Sequence, residues 1–175
     1  GYMTEGFLPL IHYPMQLDDF KDNRLDKNKH LNFTNLTQLF ASNNMNHGVI
    51  GLTFNMASYI FEYIQVKNYK TAIDVGTYKG GSAILISVAM GENSKVYTID
   101  LGDKEKRANI QARANFDQLD DFKRKYNLEI KQILGDSRII ELNLNQEEEV
   151  DVVMIDGGHT HEIVMNDFNK FGKQV

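Results

Sequence analysis

The stretch that most constrains the fold of this chain runs from Lys70 to Ser87, KTAIDVGTYKGGSAILIS. Ala72, Ile73 and Val75 read as the end of a short buried strand, with Asp74 near its carboxyl end. Gly76 opens a turn that Gly80 and Gly81 close, and a helix is expected from about Ser82. Strand, glycine turn and helix start in that order form the ligand-holding corner of an open α/β sheet, because unpaired amides at a helix N-terminus attract anions. The glycines read G-x-x-x-G-G, not the G-x-G-x-x-G that lets backbone approach a pyrophosphate, and no Gly-Lys-Ser or Gly-Lys-Thr marks a triphosphate loop. An acid at the strand end suits an ammonium group, while the Ser82 end of the turn suits a carboxylate. An amino-acid head group fits both.

Composition narrows the partner. The 175 residues make a single domain the prior, and a net charge of −5 opposes binding to nucleic-acid phosphates or an anionic membrane surface. A small-molecule partner is favoured, with no nucleic acid and no membrane. The absence of cysteine excludes a disulfide framework, a thiol nucleophile and a thiolate metal site. No apolar run is long enough for a signal peptide or a membrane span, so a cytoplasmic protein is expected.

Residues 1–50 carry a weak pattern and read as an N-terminal extension or lid, with Tyr2, Tyr13, Phe33, Phe40 and Met45 either lining a pocket or simply packing. His47 is expected in solvent. Residues 51–175 read as the ligand-binding domain. Thr53 to Val66 carries Met56, Ile60, Tyr63 and Ile64 at helical spacing, and Ala83 to Met90 is apolar nearly all round, as in a helix between two layers. Lys95 to Leu101 is a second strand ending on Asp100, whose carboxylate there can accept both hydroxyls of a ribose. Asp103 to Tyr126 reads as solvated helix, Leu128 to Leu134 as a third strand, and Arg138 to Leu144 as a helix capped by Asp136 or Ser137. Val150 to Asp156 is a fourth, apolar strand, followed by Gly157-Gly158-His159. A last helix from about His161 to Phe171 places Val164, Phe168 and Phe171 on one face.

The run Asp74-x-Gly76-Thr77-Tyr78-x-Gly80-Gly81-Ser82 resembles the first motif of class I S-adenosylmethionine-dependent methyltransferases, in the form used by small-molecule O-methyltransferases. Asp156-Gly157-Gly158-His159 resembles the Asp-Gly-x-His signature of macrocin O-methyltransferase-like and cephalosporin-hydroxylase-like proteins. The resemblance implies a Rossmann-like α/β fold with strands in order 3-2-1-4 and helices on both faces. It implies cofactor contacts from the first motif, from Asp100 and Leu101, and from Asp136 and Ser137 beside the adenine, with the Gly51 turn near the methionine moiety. It further implies that Asp156 binds Mg²⁺ and that His159 is the general base, with His161 as competitor.

The family's other metal carboxylates lie at the end of a fifth strand, which would start where this sequence ends, at Val175. Strands five to seven are therefore expected outside the sequence, with that segment or a second copy of the chain covering the fourth strand. The function expected is O-methylation of a small hydroxylated metabolite. A non-catalytic S-adenosylmethionine- or nucleoside-binding module and an NAD-binding Rossmann oxidoreductase are the alternatives.

Overall fold

A computed structural model describes residues 32–36, 39–40, 49–102, 119–120, 122–124, 126–144 and 148–175. Tyr2, Tyr13, Met45 and His47, and most of the charged stretch after Asp103, lie outside the described residues. Among the described residues, four parallel strands form the sheet: β1 (Thr71–Val75), β2 (Lys95–Asp100), β3 (Glu129–Leu134) and β4 (Val152–Ile155). Their order is β3-β2-β1-β4, as the sequence implied. Ile73 pairs with Tyr97 on one side and with Val153 on the other, so β1 is central and all five of its residues are buried. The order reverses between β1 and β4, and at such a switch point the flanking connections leave to opposite faces and open a crevice above the strand ends.

Among the described residues, α1 (Phe33–Leu36), α2 (Phe54–Lys67), α3 (Gly81–Met90) and α4 (His161–Lys170) lie around the sheet. Every residue of α3 except Ser82 is buried, which accounts for its lack of a polar face: the sheet lies on one side and α1 and α2 on the other. Each fully buried Ile or Leu there contributes roughly 1.5–3 kcal/mol. The side chain of Thr53 caps α2 by accepting from the Met56 amide at 3.3 Å.

The buried stripe of α2 is Ala57, Phe61 and Ile64, whereas Met56 and Tyr63, expected inward, are exposed. The rotation follows from the partner surface. Phe61 meets Phe33 in a tilted pair at 5.4 Å, and Phe33 also meets Phe40 at 5.9 Å and Phe54 at 5.1 Å. Phe33 and Phe40 thus pack against each other and against Phe54.

Two further expectations change. Residues 138–144 are not a helix: one turn after Asp136 gives way to chain without regular secondary structure. Ile140, Leu142 and Leu144 alternate along it and pack on the cluster around Ile73, Val75 and Ile99, a period of two that favours an extended path. At the end of the chain Phe171 is fully buried, but Val164 is 40% and Phe168 50% exposed, so the three do not share a buried face. Phe171 lies one residue past α4 and turns into the core, while the residue α4 itself buries is Asp167. β4 is half-buried along its length and forms an edge of the described sheet.

Candidate cofactor site

A cavity of about 460 Å³ opens above the carboxyl ends of all four strands, within the range usual for small-molecule sites. Gly76, Thr77 and Tyr78 after β1, Gly81 and Ser82 at the start of α3, Asp100 and Leu101 at the end of β2, and Asp136 and Ser137 beyond β3 all line it. Asp156 and His159 after β4 line it too, as does Gly51. The sheet thus gathers residues scattered over more than half of the chain. His161 and Asp167 do not line the cavity, and Thr160, not His159, caps α4 by accepting from the Ile163 amide at 3.4 Å.

Asp74 and Gly80 stand behind the wall rather than in it. Asp74 is 0% exposed. Its Oδ2 accepts from Thr98 Oγ1 at 2.9 Å and from Ser82 Oγ at 3.0 Å, and its Oδ1 is buried without a partner. The carboxylate therefore ties β1, β2 and α3 together, a role that spacing in the sequence does not show.

Burial pushes the Asp74 carboxyl up to about 7, offset in part by the Thr98 and Ser82 hydrogen bonds and reinforced by the nearby Asp156 and Asp100 charges. Its ordinary value is near 4, so between about pH 4 and pH 7 the folded chain holds a proton that the unfolded chain has lost. Stability from this group is greatest at the acid end of that window, falls as pH rises through it, and is level above it. Asp74→Asn keeps an acceptor for both hydroxyls without the charge. The variant is expected to melt level with the wild type near pH 5 and above it near pH 8; identical melting at both would remove this assignment.

The turn amides are largely spent inside the protein. Gly76 and Thr77 donate to the Ile99 carbonyl at 2.8 and 3.2 Å, and Gly80 donates to the Thr77 carbonyl at 2.6 Å. The Tyr78 amide donates to Asp100 Oδ2 at 2.8 Å, an arrangement that puts Tyr78 at φ 45°, in the left-handed region. Gly102 donates to Asp100 Oδ1 at 3.0 Å. Both oxygens of Asp100 are thereby fixed, each with lone-pair capacity left for a ligand hydroxyl.

Arg138, which the sequence reading took only as the start of a helix, lines the cavity and grips the Asp136 carboxylate through Nε and Nη2. That guanidinium holds Asp136 down at about 2. The Asp-x-Arg spacing was the available signal. Val49 and Leu52 from the loop before α2, and Ile163 from α4, supply apolar wall and were not identified from sequence.

The sequence profile of a family described as a methyltransferase domain matches residues 73–175. The chain belongs to that methyltransferase family. Among solved structures, its fold is similar to a protein assigned as a caffeoyl-CoA O-methyltransferase in Staphylococcus aureus, with a TM-score of 0.54 and 18% identity over 70% of this chain and 53% of that one. It is also similar to the O-methyltransferase TomG of Streptomyces achromogenes, involved in tomaymycin synthesis and solved with S-adenosylmethionine, with a TM-score of 0.51 and 16% identity over 69% of this chain and 52% of that one. This methyltransferase chain spans about half the length of those two structures. A search of curated proteins found no match. Among the described residues, no helix is long and apolar enough to cross a membrane.

Proposed function

We propose that the chain forms the cofactor-binding part of an S-adenosylmethionine-dependent methyltransferase that O-methylates a small hydroxylated metabolite. The observation that carries this reading is Asp100: a carboxylate at the end of β2, held by the Tyr78 and Gly102 amides and lining a cavity at the switch point of a parallel sheet. Such a group receives a ribose through two hydroxyls. Asp136 and Ser137 on the β3 side flank the space for the base, and Ser82, Asp156 and His159 lie toward the reacting end. The Gly76, Thr77, Tyr78 and Gly80 amides are spent inside the protein, and the glycines lack the G-x-G-x-x-G spacing that admits a pyrophosphate, which disfavours NAD.

When bound, the cofactor supplies an electrophilic methyl group on a sulfonium, and transfer is an in-line displacement in which alignment counts most. The chain's own residues hold the donor along the strand ends. His159 Nδ1 or Nε2 takes the proton from the acceptor hydroxyl, and Asp156, beside it on the same turn, favours the resulting imidazolium.

Mg²⁺ fits less well. Among the described residues no three His, Cys, Asp or Glu side chains come together as a metal site. Mg²⁺ seldom binds through a single carboxylate unless a substrate chelates it as well, so no step is drawn through a metal at Asp156.

Calorimetry with S-adenosylhomocysteine and with NAD tests the reading. The first is expected to bind and the second not. Asp100→Ala should weaken S-adenosylhomocysteine by about 1.5–3 kcal/mol, roughly ten- to a hundredfold. Unchanged affinity in that variant would remove the ribose assignment, and NAD binding in the wild type would overturn the cofactor.

A further inference from the structure

We propose that Thr98, which does not line the cavity, is a positioning residue that sets the hydrogen-bonding polarity of the cofactor site, so that its Ser82 end selects an ammonium group. The inference rests on the cofactor reading above. It follows from counting protons in one buried network. Thr98 Oγ1 donates to Asp74 Oδ2 at 2.9 Å, and each hydroxyl has one proton to give. The 2.7 Å contact between Thr77 Oγ1 and Thr98 Oγ1 must then be donated by Thr77. Ser82 donates to the same Asp74 oxygen at 3.0 Å.

Thr77 and Ser82 both line the cavity, and both have their only hydroxyl proton directed away into the protein. What they can offer a ligand is lone pairs. Asp100 and Asp156, on the same cavity, add carboxylate oxygens. A wall of acceptors rewards a group rich in donors and penalises an anion, because an acceptor facing an acceptor leaves both unsatisfied. The ammonium of an amino-acid head group meets that requirement. The carboxylate gains nothing from these side-chain oxygens. The carboxylate's donors are left to the helix start, whose first amides have no partner within α3.

Thr98→Val keeps the shape of the side chain and breaks the relay: Thr77 loses its acceptor and its proton is free to turn toward the cavity. The test is calorimetry near neutral pH, where the α-amine is an ammonium, with S-adenosylhomocysteine and with its N-acetyl derivative, which lacks the ammonium. The wild type is expected to prefer the free amine, and Thr98→Val should lose about tenfold affinity for it. Affinity for the N-acetyl compound should hardly change, and Thr98→Ser should restore the preference. Equal losses for both compounds, or failure of Thr98→Ser to restore the preference, would show that Thr98 merely packs and would overturn the proposal.

Should Thr98→Val not fold, Ser82→Ala carries the same comparison at the helix start: selective loss of the free amine supports the polarity, and equal loss refutes it. A wild type that binds both compounds alike refutes the selection while leaving the cofactor in place. A wild type that binds neither overturns the cofactor reading itself.

Discussion

Gly76→Ala is expected to lower the melting temperature of the chain by roughly 10 °C or more, with the loss of ligand binding following from the loss of structure. Gly76 adopts φ 108°, and a Cβ there would lie 2.3 Å from the carbonyl oxygen and 2.6 Å from the carbonyl carbon of Asp156. Neither atom can easily withdraw. The Asp156 amide donates to the Val75 carbonyl at 2.8 Å, and the Gly76 amide to the Ile99 carbonyl at 2.8 Å, so the substitution pushes β4 off the central strand. A strained φ costs about 1–3 kcal/mol and the backbone clash adds to it, against a total stability of about 5–15 kcal/mol. Thermal denaturation followed by circular dichroism measures this directly, with Asp100→Ala as the comparison variant that should weaken S-adenosylhomocysteine while melting closer to the wild type than Gly76→Ala does. A Gly76→Ala chain that melts within a few degrees of the wild type, but no longer binds S-adenosylhomocysteine, would put the glycine back in the ligand's path.

His159→Gln is expected to reduce the rate of methyl transfer by about 10²–10⁴-fold, the usual contribution of a positioned general base. Affinity for S-adenosylhomocysteine should stay within about twofold, because the lost group acts on the acceptor's proton and not on the cofactor. The geometry separates the two histidines of the turn. Both are exposed, but only His159 lines the cavity; His161 begins α4, and with Thr160 serving as the cap neither ring is needed to start the helix. Single-turnover formation of S-adenosylhomocysteine with a panel of hydroxylated acceptors gives the rate. If His161→Gln abolished transfer while His159→Gln left it intact, the base would have to be reassigned. Rate loss accompanied by an equal loss of cofactor affinity would show that His159 binds the cofactor instead.

The alternation of strand and helix was legible because it is written in local periods. Val75 to Ser82 reads as strand end, glycine turn and helix start wherever it occurs, and the apolar circumference of α3 announces burial on all sides. Acids at strand ends were legible for the same reason: parallel strands bring their carboxyl ends to one edge whatever lies between them, so Asp100, Asp136 and Asp156 had to converge. The family resemblance added the base and the cofactor to that frame.

What the sequence could not show depends on contacts between residues far apart in the chain. Asp74 looked like a ligand residue from its place beside the turn, but Thr98 and Ser82 draw its carboxylate into the sheet. Gly76 reads in the sequence as the opening of a turn, and its crowding against Asp156 comes only from the pairing of β1 with β4. The stripe on α2 was misread because helical spacing fixes a face only up to rotation, and the Phe33 ring chose which rotation is buried. Residues 138–144 were read as helix from their caps, yet the alternation of Ile140, Leu142 and Leu144 matched an apolar surface that exists only once the sheet has formed. Local propensity thus set the elements and the edge where chemistry gathers. The tertiary structure decided which side chains face the ligand and which hold the others in place, because burial and hydrogen-bond partners are properties of the assembled layers and not of any one segment.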